Sequence, residues 1–76
     1  MKEIDLHGLT HNEAIEVVTK EVTSLFVERG FKIKVITGNS VTLQKKIFKE
    51  IVERYNLNSY LLTNNLGTII ITDLKL

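Results

Sequence analysis

Asp5 and His7 have the residue types and the spacing to act together. Histidine is the side chain whose ordinary pKa lies close to neutrality, so it can take up or release a proton at physiological pH. A carboxylate beside it can orient the imidazole, stabilise its cation or help to hold a divalent metal ion. Thr37-Gly38-Asn39-Ser40 forms a second candidate region, followed within a few residues by Lys45, Lys46 and Lys49. Glycine lets a backbone approach a phosphate closely, and lysines supply positive charge. Each feature also has a plain structural reading. Two polar residues at a spacing of two are common on the wet side of a strand, and lysines commonly line a solvated helix face.

The surrounding pattern says how these residues are held. Ile4 and Leu6 alternate with Asp5 and His7, the period of a strand, so the two pairs should occupy opposite faces. Gly8 should end that strand. Thr10 followed by Glu13 is a capping-box signature, and Ile15, Val18, Val22, Leu25 and Phe26 make one apolar helical face. This predicts a helix over residues 11–29, closed by Gly30 in the left-handed conformation. Residues 31–36 read as a second strand. Two strands joined by a helix form a βαβ unit with parallel strands, which brings Gly8, Gly38 and two helix N-termini to one sheet edge. The second helix should run over residues 42–55, with Leu43, Ile47, Ile51 and Tyr55 recurring every four residues. The lysines crowd its first half, where the helix dipole disfavours cations, so an anionic partner would explain them. Residues 60–63 read as a short strand, 64–67 as a turn and 68–72 as a β-branched last strand.

The order β-α-β-α-β-β predicts an α/β two-layer sandwich. A mixed four-stranded sheet should carry both helices on one face, leaving Asp5 and His7 on the other. With 76 residues, the chain is one domain, residues 1–76. No cysteine is present, which excludes disulfides and thiolate metal sites and fits an intracellular, cytoplasmic protein. No apolar run approaches a membrane span, and none of signal-peptide length follows Met1. The net charge of +1 announces no nucleic-acid partner, so any basic patch must arise from local clustering.

Ile4-Asp5-Leu6-His7-Gly8-Leu9, a capped helix, then Val35-Ile36-Thr37-Gly38 before a second helix, resembles the Smr (small MutS-related) domain over essentially the whole chain. Gly67-Thr68-Ile69-Ile70-Ile71 is similar to that family's closing strand. The resemblance implies sheet order 1-2-4-3 with the fourth strand antiparallel to the rest, as in the C-terminal domain of translation initiation factor three. It implies a DNA-nicking or RNA-cleaving endonuclease (a hydrolase linked to DNA repair or recombination), or a non-catalytic module that binds branched or structured nucleic acid. Either occurs alone or at the C-terminus of a larger protein. Asp5 and His7 become the implied catalytic pair. Thr10, Thr37, Gly38, Asn39, Ser40, Lys45, Lys46 and Lys49 become the nucleic-acid-binding residues. The chain departs from the family at Ser40, where a second glycine is usual, and this weakens the expectation of catalysis more than that of binding. One carboxylate and one imidazole make a thin site for Mg or Mn, even with His11 nearby, so no metal ligands are assigned. A protein-interaction module, with Asp5 and His7 as structural polar residues, is the reading from a different class.

Overall fold

The computed structural model describes residues 1–62 and 65–74. The elements are β1 (Lys2–Asp5), α1 (His11–Ser24), β2 (Lys32–Ile36), α2 (Val41–Ile47) continuing without a break into a π-helical turn (Phe48–Glu53), β3 (Asn58–Leu62) and β4 (Asn65–Thr72). They form one four-stranded sheet in the order β1-β2-β4-β3. β1 and β2 are parallel, whereas β4 is antiparallel to both of its neighbours.

Register fixes the two faces. Ile4 lies beside Val35 and Val35 beside Ile69; Ile33 lies beside Ile71. All five belong to a single core with Ala14, Val18 and Val22 of α1 and Leu43, Ile47, Ile51 and Val52 of the second helix. Both helices therefore cover one face. Lys2 shares the row of Ile33 and reaches Glu21 of α1 at 3.5 Å, whereas Glu3 and Lys34, paired across strands on the other face, meet at 3.8 Å. Asp5 lies beside Ile36 on that helix-free face.

Several elements differ in extent from the sequence expectation. The helix expected over 11–29 stops at Ser24. Hydroxyls of Thr19, Thr23 and Ser24 all bond back to carbonyls of the preceding turn, a competition that weakens a helix. The amide of Leu25 is shared between the Glu21 and Val22 carbonyls, which tightens the end. Gly30 does adopt φ +77°, but as part of the following loop, where its amide donates to Asp73 Oδ2. The second helix begins at Val41. Its apolar residues at a strict spacing of four drift by about 40° per step on an α-helix. The wider π-helical turn offsets that drift and buries Ile51 and Val52 together. The helix closes when Leu57 N–H reaches the Val52 carbonyl and Asn56 N–H reaches that of Glu53. Asn56 has φ 54°, a Schellman-type end. β3 starts at Asn58, earlier than expected, and Asn65 and Gly67, expected in the turn, belong to β4. Thr63 and Asn64, the rest of that expected strand end and turn, lie outside the described residues. A register shift between Leu61 and Leu62 lets β4 begin early. No helix among the described residues is long and apolar enough to cross a membrane.

Candidate functional site at the loop edge of the sheet

The parallel pair β1–β2 ends where the Leu6 amide donates to the Ile36 carbonyl at 3.0 Å. Two loops leave the sheet side by side from there. In the first, the Leu9 amide returns to the Leu6 carbonyl, making a turn with Gly8 at its third position at φ +80°. A type II turn requires a positive φ there, which glycine supplies without strain. His7 is thus a turn residue and not the last residue of the strand, so strand alternation does not govern its direction. Asp5 and His7 are both exposed, and neither packs beneath the helices. Their contact is between the Asp5 carboxylate and the His7 backbone: Oδ1 accepts the amide at 2.9 Å. The imidazole has no hydrogen-bond partner among the described residues. Asp5 shapes the loop that carries His7 and leaves the ring free.

The second loop is held from β4. The Gly67 carbonyl accepts the amides of Thr37 at 2.8 Å and Gly38 at 3.1 Å, and the Thr37 hydroxyl at 3.1 Å. That hydroxyl also reaches the Gly38 carbonyl and accepts from Gln44 Nε2 at 3.0 Å. Gly38 has φ +66°, and the space where its Cβ would lie is open. The Gly38 amide, expected to face nucleic acid, is therefore committed to Gly67; only its open Cα surface can be approached. Asn39 is exposed and Ser40 half-buried. Ser40 Oγ caps the second helix by accepting the Leu43 amide at 3.2 Å. The amides of Asn39, Ser40, Val41 and Thr42 have no partner among the described residues. Four such groups in sequence, with no acidic residue in the first helical turn, form a surface suited to an anion.

The N-terminus of α1 suits an anion less well. Thr10 Oγ1 accepts the Glu13 amide at 3.2 Å, and Glu13 Oε1 accepts the Thr10 amide at 2.9 Å. The bond from the Thr10 amide first, and the nearby Thr10 hydroxyl second, hold the Glu13 carboxyl below its ordinary range. A carboxylate thus already occupies the position a phosphate would take, and Thr10 is a cap before it is a binding residue.

The lysines divide. Lys45 and Lys49 line an open groove of about 740 Å³ between the second helix and β3–β4. Lys46, about 100° further round the helix, is half-buried and off that groove. β1 and β3 are opposite edges of the sheet, three strand spacings or about 14 Å apart. Asp5, His7, Gly38, Asn39 and Ser40 come together at the loop edge; Lys45 and Lys49 belong to the groove side. Among the described residues no three His, Asp or Glu side chains gather as metal ligands. With one Asp5 oxygen engaged by the His7 amide, the donors present do not fit a protein-held Mg or Mn ion.

Gln44 is the residue that sequence reasoning missed. Its position one helical turn after the Ser40 cap was the available signal. No family model, curated protein or solved structure matches the chain.

Proposed function

We propose that the chain is an Smr-like domain that binds DNA or structured RNA at the loop edge of its sheet, with His7 serving phosphodiester cleavage there. One observation carries this reading: an exposed imidazole stands at the same sheet edge as the amides from Asn39 to Thr42, and neither has a partner among the described residues. Phosphodiester cleavage needs charge stabilisation on the phosphate and a proton moved at the attacking or leaving oxygen. The amides supply the first and His7 the second. Lys46, on a different flank of the helix from the groove-lining Lys45 and Lys49, is the lysine of the three that the groove does not claim. The absence of cysteine accords with a cytoplasmic setting.

A second reading, binding without cleavage, is supported by the engagement of Asp5 with a backbone amide and by Ser40 acting as a helix cap. The Asp5 carboxylate then shapes the loop and does not partner the imidazole. Incubation with supercoiled plasmid and with structured RNA, each with and without divalent metal, separates the two readings. Nicked plasmid or shortened RNA is the expected result for cleavage. Binding without products leaves the second reading. Absence of salt-sensitive binding to both substrates removes both, because phosphate contacts release counterions and must respond to salt.

A further inference from the structure

The two edges of the sheet are treated differently by the sequence. Of the four residues of β1, three are charged: Lys2, Glu3 and Asp5. Charged residues on an edge discourage pairing with another chain. β3, at the opposite edge, is Asn58-Ser59-Tyr60-Leu61-Leu62, with neither charge nor proline. Next to it lies the groove of about 740 Å³. Apolar side chains stand exposed along both: Val41 is 60%, Phe48 49% and Leu61 46% exposed. An unprotected edge strand beside an apolar groove is a surface prepared for another strand.

The charges on the groove rim indicate which strand. Lys45, Lys49 and Glu53 follow one another at a spacing of four, all lining the groove, and neither lysine has a carboxylate partner among the described residues. Basic towards the helix N-terminus and acidic towards its C-terminus, this row complements a copy of itself running the opposite way. Strand and helix dimensions set the level. Tyr60 lies three residues up the strand from the turn at Leu57, about 10 Å, which matches about seven residues back along the helix. Counted from that same turn, Tyr60 is thus level with Glu50, next to Lys49 and about midway between Lys45 and Glu53.

We infer that β3 and this groove form the contact surface for a second copy of the chain, β3 pairing antiparallel with β3 of that copy about a twofold axis at Tyr60. The two sheets become one of eight strands. Phe48 and Leu61 of the two copies close the apolar space between the helices. Lys45 of each copy comes level with Glu53 of the other. The β1 strands lie at the outer margins, seven strand spacings or about 34 Å apart, so both Asp5–Gly8 loops stay uncovered. The inference does not depend on the nucleic-acid reading.

Sedimentation equilibrium of the full chain, freed of nucleic acid and studied from micromolar to millimolar concentration, tests it. A dimer is expected. Leu61→Lys, at a half-exposed edge position that leaves the core intact, should weaken it about tenfold or more. Lys45→Glu and Glu53→Lys should each weaken it by about fivefold or more, since each disturbs two symmetry-related rim pairs. The double variant should recover most of that loss. A wild-type chain that stays monomeric at millimolar concentration overturns the proposal and leaves the groove to a different partner. A dimer untouched by Leu61→Lys, or a double reversal no tighter than either single one, overturns it as well.

Discussion

Gly67 and Gly38 are packed backbone against backbone. A Cβ on Gly67 would lie 3.1 Å from both the carbonyl carbon and the oxygen of Gly38, and the Gly67 carbonyl takes the Gly38 amide at 3.1 Å. Gly67, one residue before the regular pairing of β4 with β2 begins at Thr68, thus fixes the loop that precedes the second helix. This contact joins residues far apart in sequence, and it decides which amides of the loop remain open to solvent.

The contact predicts an order of effects. Gly67→Ala forces a methyl group against backbone atoms that cannot rotate away, and should cost about 1–3 kcal/mol. Gly38→Ala meets open space and has only its φ of +66° to oppose it, a cost of about 1 kcal/mol. Chemical denaturation of the two variants should therefore rank Gly67→Ala as the more damaging, although Gly38 is the motif residue. Equal stability of the two would show that the loop moves freely away from β4.

The cap of α1 predicts an acid dependence. The folded-state pKa of Glu13 is depressed by the Thr10 amide. Its contribution to stability is therefore present above the unfolded value of about 4.3 and is lost as pH falls through the lower folded value. Glu13→Gln keeps a capping-box side chain without the titrating charge, so its stability should fall less steeply over that acidic interval. Thr10→Ala removes the cap itself and should cost about 1 kcal/mol at all pH values. Thermal unfolding across the acidic range reads both effects; parallel curves for wild type and Glu13→Gln would contradict the first.

The division of the lysines predicts unequal contributions to nucleic-acid binding. Replacing Lys45, Lys46 and Lys49 together by alanine should weaken binding and flatten its salt dependence, the slope falling by roughly one for each phosphate no longer neutralised. Lys46→Ala should account for more of that change than the Lys45→Ala, Lys49→Ala pair, which faces the groove. Affinity measured over a range of salt concentration separates the cases. An unchanged slope in the triple variant would make all three a solvated face.

The architecture was legible because its determinants are local. Alternation at Ile4–His7, the Thr10–Glu13 box and the apolar faces of both helices each specify an element, and two strands flanking a helix specify a parallel pair. The sheet order, which the motif resemblance implied, is the one observed. What escaped was set by competition or by distant contacts. The run of hydroxyl residues at Thr19, Thr23 and Ser24 ended α1 before its glycine. The four-residue spacing from Leu43 to Tyr55 carried the signal of a wider helical turn but also fits an α-helix. At the candidate site, Asp5 and His7 were recognisable as neighbours. That the carboxylate binds an amide instead of the ring follows from the turn made by Gly8, one residue beyond the alternating pattern. The hold of Gly67 on Thr37 and Gly38 joins residues about 30 apart in sequence, and no local pattern encodes it.

The last prediction concerns cleavage. His7→Ala should abolish most activity while preserving fold and most binding. The fold should persist because His7 is exposed in a turn, so its removal leaves neither a cavity nor a buried unpaired group. Binding should persist because, on the proposed reading, the loop amides and lysines and not the imidazole would hold the phosphates. Loss of a general acid or base costs about 10²–10⁴-fold in rate, well above the scatter of a nicking assay. Asp5→Asn keeps an oxygen for the His7 amide and removes the charge, so it separates the two roles of Asp5. A loop-shaping Asp5 predicts activity near that of the wild type; a charge partner for the imidazole predicts a loss like that of His7→Ala. Ser40→Gly should leave activity equal or higher, since glycine replaces serine at a helix cap at a cost of only a few tenths of a kcal/mol and frees the loop for closer approach by phosphate. Cleavage by His7→Ala at the wild-type rate, in protein free of host nucleases, would remove His7 from the chemistry and leave a domain that binds without cutting.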